Sequence, residues 1–401
     1  MLKGHGDSPQ YALTFLNPSR IRQAREREGL SGKELAAKIG KSPSAVSQFE
    51  SGVSKPDLST LIRLSMALRV PTIYFAQPDD AGAQLAFDAC HFRARRSVSQ
   101  KTRRASIRMG EEMLSVVWHL RSHGVQFPDE QLSSFRDDWV GWTERTDEEI
   151  EQAASGLRKH FGLGFGPIPN LTTLLESKGV FVFVLSSAHE DVDAYSVWAD
   201  TVPCIMLAHN KTAARARFDA AHELAHLVLH DETCQVGSKT IEQEANRFAG
   251  AFNAPREGFL AECPRRWNLE AFLRLRDRWK ISVAALVRRA YDLGRLSEFS
   301  YKKANKELSA RGYRRGEPGD NERSKEKPVM VEQAFQLLEG SITADELSRG
   351  LGTYPQRVIE SLEPLVSAQT LERVATSPVQ KSAEIVSLDD VRKARADGVA
   401  S

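Results

Sequence analysis

The pentapeptide His-Glu-Leu-Ala-His occupies residues 222–226, inside the longer segment ARFDAAHELAHLVLH (216–230). His222 and His226 are four residues apart, so on a helix they lie one turn apart on the same face. The apolar residues beside them predict that this helix is buried. Two imidazoles on a buried helix can chelate Zn²⁺, and Glu223 between them is placed to act as a general base on water. The pattern therefore predicts a hydrolytic zinc site.

A hydrolytic zinc site takes a third protein ligand and keeps one position open for water. The position six residues after His226 is Glu232, so the longer motif with a third histidine does not apply. The next segment, TIEQEANRFAGAF (240–252), predicts an amphipathic helix that offers Glu242 and Glu244. Helical periodicity places both at similar angles on opposite sides of the apolar stripe and does not choose between them.

The segments around this motif indicate the fold class. Short apolar strands are expected at 180–185, 195–199 and 204–208, followed by strong helices at 213–230 and 240–252. The rest of the chain reads as short helices, so we expect a mainly α protein with a small β-sheet (α+β).

Residues 20–75 predict several short helices with tight breaks between them. Gly40 ends one helix, and Ser42 can cap the next, which has Pro43 in its first turn. Two short helices joined by a glycine-containing turn form a helix-turn-helix, whose second helix enters the major groove of DNA. The N-terminal region is therefore expected to be an all-α DNA-binding domain.

Charge and composition agree with this division. Residues 1–110 carry 18 lysines and arginines against 9 acidic residues, whereas the remainder carries 37 against 44. A basic N-terminal quarter predicts an anionic partner at that end. No apolar run approaches the ~20 residues that span a bilayer, and no apolar leader is apparent, so we expect no membrane partner and a cytoplasmic location. The four cysteines are scattered, which favours reduced thiols.

The N-terminal segment resembles the Cro/C1-type (XRE) repressor domain over about residues 20–75. The resemblance implies a first helix at 32–39, a recognition helix at 43–50 and a structural ion pair between Arg25 and Glu50. It also implies a double-stranded DNA operator and a homodimer on two half-sites. The residues that it implies as DNA contacts are Ser44, Ser47 and Gln48 at base edges, with Lys41 and Lys55 near phosphates.

The run HELAHLVLH followed by EQEANRFA resembles the ImmA/IrrE family of zinc metallo-endopeptidases, over about residues 171–257. The resemblance implies Glu244 as the third Zn²⁺ ligand beside His222 and His226, with Glu223 as the catalytic base. It also implies a protein substrate of repressor type, either a partner protein or the chain itself.

These observations predict five segments. They are a helix-turn-helix domain at 17–77, a basic helical linker at 78–146, a zincin-like metallopeptidase domain at 147–300, a small helical module at 328–366 and a disordered tail at 367–401.

The combination predicts a DNA-binding transcriptional regulator that carries a zinc-dependent endopeptidase. An alternative is a non-enzymatic repressor whose zinc domain is structural or senses a ligand, as part of a toxin–antitoxin or phage-type regulatory system. Glu223 favours catalysis, because a purely structural zinc site has no need of a general base.

Overall fold

A computed structural model describes residues 8–79, 83–85, 90–94, 99–141, 144–185, 192–231, 238–338, 340–376 and 386–387. The α-helices in chain order are α1 (Pro9–Thr14), α2 (Pro18–Arg27), α3 (Gly32–Ile39), α4 (Pro43–Ser51), α5 (Leu58–Leu68), α6 (Gln100–Ser122), α7 (Ser133–Arg136), α8 (Asp147–His160), α9 (Leu171–Ser177), α10 (Ala213–Leu229), α11 (Lys239–Asn253), α12 (Arg256–Glu262), α13 (Leu269–Trp279), α14 (Val283–Asp292), α15 (Glu298–Ala310), α16 (Met330–Leu337), α17 (Ala344–Leu351), α18 (Pro355–Leu362) and α19 (Ala368–Thr376). The strands are β1 (His91–Ala94), β2 (Val125–Gln126), β3 (Phe181–Leu185), β4 (Val192–Ala199), β5 (Val202–Ala208) and β6 (Val386–Ser387), and a 3-10 helix spans Thr72–Ala76.

The chain divides into two compact units. The first unit, named the DNA-binding unit after the helix-turn-helix predicted within it, comprises residues 1–87, 95–127 and 329–401. The second, called the metal-site unit, comprises residues 88–94 and 128–328. Each unit therefore includes pieces of chain that are far apart in the sequence.

The predicted helix-turn-helix is confirmed, and its caps explain its boundaries. The Ser31 hydroxyl accepts from the backbone N–H of Glu34, whose carboxylate accepts from the N–H of Ser31, so α3 begins with a capping box. The helix ends at Gly40, where the backbone has φ = 64°, a conformation that glycine adopts without strain. Ser42 then caps α4 by accepting from Ala45 N–H.

The ion pair implied between α2 and α4 is also present. The Nη2 atom of Arg25 lies 2.9 Å from Oε2 of Glu50, and Arg25 Nε contacts the other carboxylate oxygen. The hydrogen bonds that Arg25 donates to Glu50 raise the pKa of Arg25, so the guanidinium stays charged in its half-buried position. This two-pronged contact ties α2 to the C-terminal end of α4.

Helix α6 and the C-terminal helices pack with the helix-turn-helix in the DNA-binding unit. Glu26 of α2 accepts from Arg104 at 3.1 Å and from Arg108 at 2.9 Å. Glu112 of α6 pairs with Arg27 of α2 at 2.7 Å and with Arg357 of α18 at 2.9 Å. The segment predicted as a basic helical linker thus contains a 23-residue helix held by ion pairs.

The expectation of a disordered tail from residue 367 is wrong for residues 368–376, which form α19. Glu332 of α16 accepts from the backbone N–H of Ser367 at 2.7 Å and from the Thr370 hydroxyl at 2.8 Å, and Val374 is buried. These tertiary contacts stabilise a helix that its own short sequence does not predict. Residues 377–385 and 388–401 of the expected tail lie outside the described residues.

The metal-site unit is built on a four-stranded sheet with the order β1-β4-β5-β3. β4 pairs antiparallel with β5 on one side and with β1 on the other, and β3 pairs parallel with β5. Helix α10 packs on β4 and β5, and α11 packs on α10 and α8. The three predicted strands and the α+β class are confirmed, whereas β1 was not predicted.

Helices α12 to α15 form a second apolar cluster that extends the metal-site unit beyond its expected end at residue 300. Trp279, Phe259 and Phe272 are among the fully buried side chains of this cluster. None of the described helices is both long and apolar enough to cross a membrane.

Candidate metal centre and DNA-binding surface

Helix α10 is buried along most of its length. Every residue from Asp219 to Leu229 is buried, including His222 and Glu223, which have no exposed surface. Alanines at 220, 221 and 225 leave room for the sheet and for α11 to approach the helix closely. The polar side chains of α10 are therefore held in fixed positions inside the unit.

The side chains of His222, His226 and Glu242 converge at one point. The Nε2 atoms of the two histidines are 3.1 Å apart. Glu242 of α11 places Oε2 at 3.4 Å from His222 Nε2 and Oε1 at 3.7 Å from His226 Nε2. Within the described part of the chain these three residues form a group that could hold a metal ion, with all ligand atoms within 4.8 Å of one another.

This arrangement fits a tetrahedral metal ion. Two nitrogens bound at about 2.0–2.1 Å to one tetrahedral zinc ion are separated by about 3.3 Å, close to the spacing of the two Nε2 atoms. The donor set of two imidazoles and one carboxylate is one of those found in catalytic zinc sites with three protein ligands. The Glu242 side chain is 30% exposed, whereas both histidines are buried, so the group opens toward solvent on the Glu242 side.

The structure thus places Glu242, and not the expected Glu244, beside the two histidines. Glu244 is buried, and its carboxylate accepts from Arg145 and lies 3.2 Å from His230 Nε2. The two glutamates lie on different sides of α11, and it is the side carrying Glu242 that faces the histidine pair. Glu244 faces the C-terminal end of α10 instead.

A series of hydrogen bonds leads from the histidine pair to Glu244. The Nδ1 atoms of His226 and His230 are 2.9 Å apart, and Nε2 of His230 faces Glu244. With His226 Nε2 turned to the metal position, its Nδ1 carries the proton and donates to His230 Nδ1, and His230 Nε2 donates to the carboxylate. These tautomers follow from the hydrogen-bond network. The arrangement orients the imidazole of His226.

Arg145 completes this series from a segment more than 70 residues upstream. Its backbone N–H and its Nη1 donate to Glu244 at 3.2 and 2.8 Å, and its Nη2 donates to the carbonyl oxygen of Leu229 at 2.6 Å. Burial alone would raise the pKa of Glu244, but the hydrogen bonds from His230 and Arg145 outweigh it and lower the pKa. Burial lowers the pKa of His230, which favours its neutral form.

Glu223 faces the sheet. Its Oε2 accepts a hydrogen bond of 2.7 Å from the hydroxyl of Ser196 on β4, and Ser196 is fully buried. Two residues further along β4, the indole N–H of Trp198 donates to the carbonyl oxygen of Leu227. Strand β4 is thus attached to α10 beside the predicted general base.

Sequence reasoning did not find Arg145 or Ser196. Arg145 lies outside any motif, and a serine within a strand carries no pattern that points to a site. His230 offered a signal, because it continues the four-residue spacing of His222 and His226.

The predicted base-contacting residues all lie on the exposed face of α4. Ser44, Ser47 and Gln48 are exposed, whereas Val46 and Phe49 on the opposite face are buried in the core of the helix-turn-helix. A helix that is held by one face and presents short polar side chains on the other is suited to the major groove.

The two predicted phosphate contacts flank this helix. Lys55 is exposed, with Nζ 3.5 Å from the carbonyl oxygen of Thr14. Lys41 is half-buried and lies 3.7 Å from a carboxylate oxygen of Asp57. Lys55 is therefore the more accessible cation.

Comparison with protein-family models gives two matches. Residues 21–75 match the helix-turn-helix model. Residues 175–291 match the peptidase M78 model, which is described as the IrrE N-terminal-like domain. The chain unites these two domain types. The second match spans α10, α11 and the three residues that converge, so the metal-site unit contains a metallopeptidase-type domain. No match was found among curated proteins.

Proposed function

We propose that this chain is a transcriptional regulator that binds operator DNA and hydrolyses a repressor-type protein with a zinc-dependent endopeptidase. The observation that carries the proposal is the convergence of His222 and His226, on the buried helix α10, with Glu242 of α11. A structural zinc site is usually closed by four protein ligands, whereas a hydrolytic site keeps a position open for water.

The donor atoms at this site suit zinc as the metal, and different residues have different proposed roles. His222, His226 and Glu242 would hold the ion. When bound, zinc supplies a Lewis acid that activates water and polarises the carbonyl group of a peptide bond. Glu242 replaces Glu244 as the third ligand in this proposal, because its carboxylate lies 3.4 Å from His222 Nε2.

Glu223 is the proposed general base. It takes the proton from the attacking water and later passes it to the leaving amine. The hydrogen bond from Ser196 holds the Glu223 carboxylate in one orientation, and burial keeps bulk water away from it. His230 and Glu244 position His226 from the other side.

The proposed DNA site is the exposed face of α4, with Gln48 able to make paired hydrogen bonds to adenine. We propose a homodimer, because domains of this type read two half-sites one helical turn apart. DNase footprinting and light scattering of the protein–DNA complex test this. A single protected half-site bound by a monomer would contradict it.

The decisive experiment compares the zinc-loaded wild-type chain with Glu223→Gln. Each protein is incubated alone and with a lysate of its source, and the products are followed by intact-mass analysis. Cleavage by the wild type but not by the variant would support the peptidase and identify its substrate as the chain itself or a partner.

The same experiment tests the second candidate, a non-enzymatic repressor with a structural or sensing metal domain. If both proteins bind one zinc ion and neither cuts any protein, this candidate replaces the first. Operator binding measured with and without zinc then shows whether the metal controls DNA affinity.

A further inference from the structure

Strand β1 comes from a part of the chain that is remote from the rest of its sheet. Residues 88–94 belong to the metal-site unit, while the residues before and after them, 1–87 and 95–127, belong to the DNA-binding unit. Within this short segment, His91–Ala94 pairs antiparallel with β4. The segment that connects two parts of the DNA-binding unit thus contributes an edge strand to the other unit.

The pairing register places β1 next to the predicted catalytic base. His91 lies opposite Ser196, and the Ser196 hydroxyl is 2.7 Å from the Glu223 carboxylate. Opposed residues of antiparallel strands have Cα atoms about 4.5–5.5 Å apart. The backbone at His91 is therefore a single strand spacing away from the residue that contacts Glu223.

A peptidase must hold its substrate backbone extended near the base, and addition of a strand to a sheet edge is a common way to do so. One edge of β4 is taken by β5 from Ala194 to Ala199. The other edge is the one left for a substrate, and β1 covers it from Val192 to Ser196.

We propose that His91–Ala94 is an internal competitor that occupies the substrate-binding edge of β4. The substrate is then an extended peptide segment that pairs antiparallel with β4 only after β1 has left. The biological meaning of this competition rests on the proposed peptidase function. The pairing of either β1 or a peptide with β4 does not depend on catalysis.

The pairing of β1 is suited to release. It covers four residues, and its register shifts between Arg93 and Ala94, whereas β4 and β5 pair without interruption over six positions. A short edge strand with an irregular register contributes few hydrogen bonds and opens more readily than a long regular one.

The test uses the full-length, metal-free chain and a fluorescent synthetic peptide with the sequence of residues 88–96, DACHFRARR. The variant Phe92→Pro/Arg93→Pro removes two consecutive backbone donors, and since donors alternate along a strand, one of them faces β4. Arg93→Thr is the matched control, because it keeps the N–H. We expect the peptide to bind the double-proline variant at least about 10-fold more tightly than the wild type or Arg93→Thr.

Equal affinity for all three proteins, or no binding to any of them, would overturn the proposal. A second variant covers the case in which the proline variant does not fold. Arg93→Cys/Ala194→Cys joins two opposed residues, so its oxidised form should exclude the peptide and its reduced form should bind as the wild type does. If the reduced form of this variant excludes the peptide as well as the oxidised form does, the result contradicts the proposal.

Failure of this inference can be told apart from failure of the proposed function. Peptide binding to the metal-free chain requires neither zinc nor Glu223, so it can succeed even if the chain has no peptidase activity. If the zinc-loaded wild type cuts itself between residues 88 and 96 and Glu223→Gln does not, the segment is a substrate and its role as competitor is wrong.

Discussion

The Nδ1 atoms of His226 and His230 lie 2.9 Å apart, one turn from each other on α10. This contact links the regularly spaced histidines into a series of hydrogen bonds. The Nε2 atom of His226 faces the proposed metal position, and its Nδ1 atom faces His230. Glu244 and Arg145 continue the series away from the metal position. In the proposed metal site, this arrangement gives Glu244 a positioning role through His230 and leaves Glu242 as the third ligand.

The first prediction concerns the two glutamates of α11. Replacing Glu242 by Gln should weaken zinc binding by more than the roughly 10- to 100-fold that loss of an outer hydrogen-bond partner costs. Replacing Glu244 by Gln should weaken it only within that range, because Glu244 acts through His230. Competition with a chromophoric chelator measures both. A greater loss for Glu244→Gln than for Glu242→Gln would restore Glu244 as the third ligand.

The second prediction separates positioning by His230 from its packing. His230→Leu fills the space without polar atoms, whereas His230→Gln keeps one acceptor and one donor. We expect zinc affinity to fall about 10- to 100-fold in His230→Leu and by less in His230→Gln. Thermal unfolding of the metal-free proteins is the control for packing. If the two variants bind zinc equally well, His230 has no positioning role.

The third prediction concerns DNA recognition. Gln48→Ala should relax the preference at one operator base pair by about 1–3 kcal/mol. Lys55→Ala should weaken binding to all sequences and reduce the slope of log K against log salt by about 0.9. Lys302→Ala removes the same charge from an exposed ion pair with Glu298 and is the control. Fluorescence anisotropy over a salt series provides the data, and an unchanged slope for Lys55→Ala would rule out its phosphate contact.

The fourth prediction is a pH dependence in the DNA-binding unit. Burial alone would raise the pKa of Glu112, but Arg27 and Arg357 outweigh it and hold the pKa below its ordinary value of 4.5. A carboxylate with a depressed folded-state pKa stabilises the fold above pH 4.5, and this contribution is lost as the pH falls through the folded value. Glu112→Gln should therefore lower Tm at pH 7, and its difference from the wild type should narrow below pH 4.5.

The control for this prediction is Glu148→Gln, which removes a carboxylate from an exposed pair with Arg256. Its Tm should stay close to that of the wild type at both pH values, since exposed pairs contribute little. If the difference in Tm between Glu112→Gln and the wild type does not change with pH, Glu112 stabilises the fold by packing and not by charge.

Much of the fold could be predicted because the signals are local. The caps at Ser31 and Ser42 and the turn at Gly40 lie within a few residues of the helices they bound, so α3 and α4 could be read directly from the sequence. The histidine pair on α10 follows from a spacing of four residues. In the same way, alternation and apolar content predicted β3, β4 and β5.

Elements that depend on distant partners could not be predicted in this way. β1 has four residues and exists only because the edge of β4 lies beside it. Helix α19 depends on Glu332, which is about 35 residues upstream. For both, the stabilising contacts are far away in the sequence, so neither a local pattern nor intrinsic propensity identifies them.

The sequence by itself determined that two imidazoles share one face of α10, with Glu223 next to one of them in the chain, since residues four apart on a helix lie one turn apart whatever surrounds them. Only the tertiary structure decided between Glu242 and Glu244. Both lie beside the apolar stripe of α11, and which of them meets the histidines depends on how α11 is rotated against α10. That rotation is set by side-chain packing across the whole interface between the two helices, so the periodicity of α11 alone does not predict it.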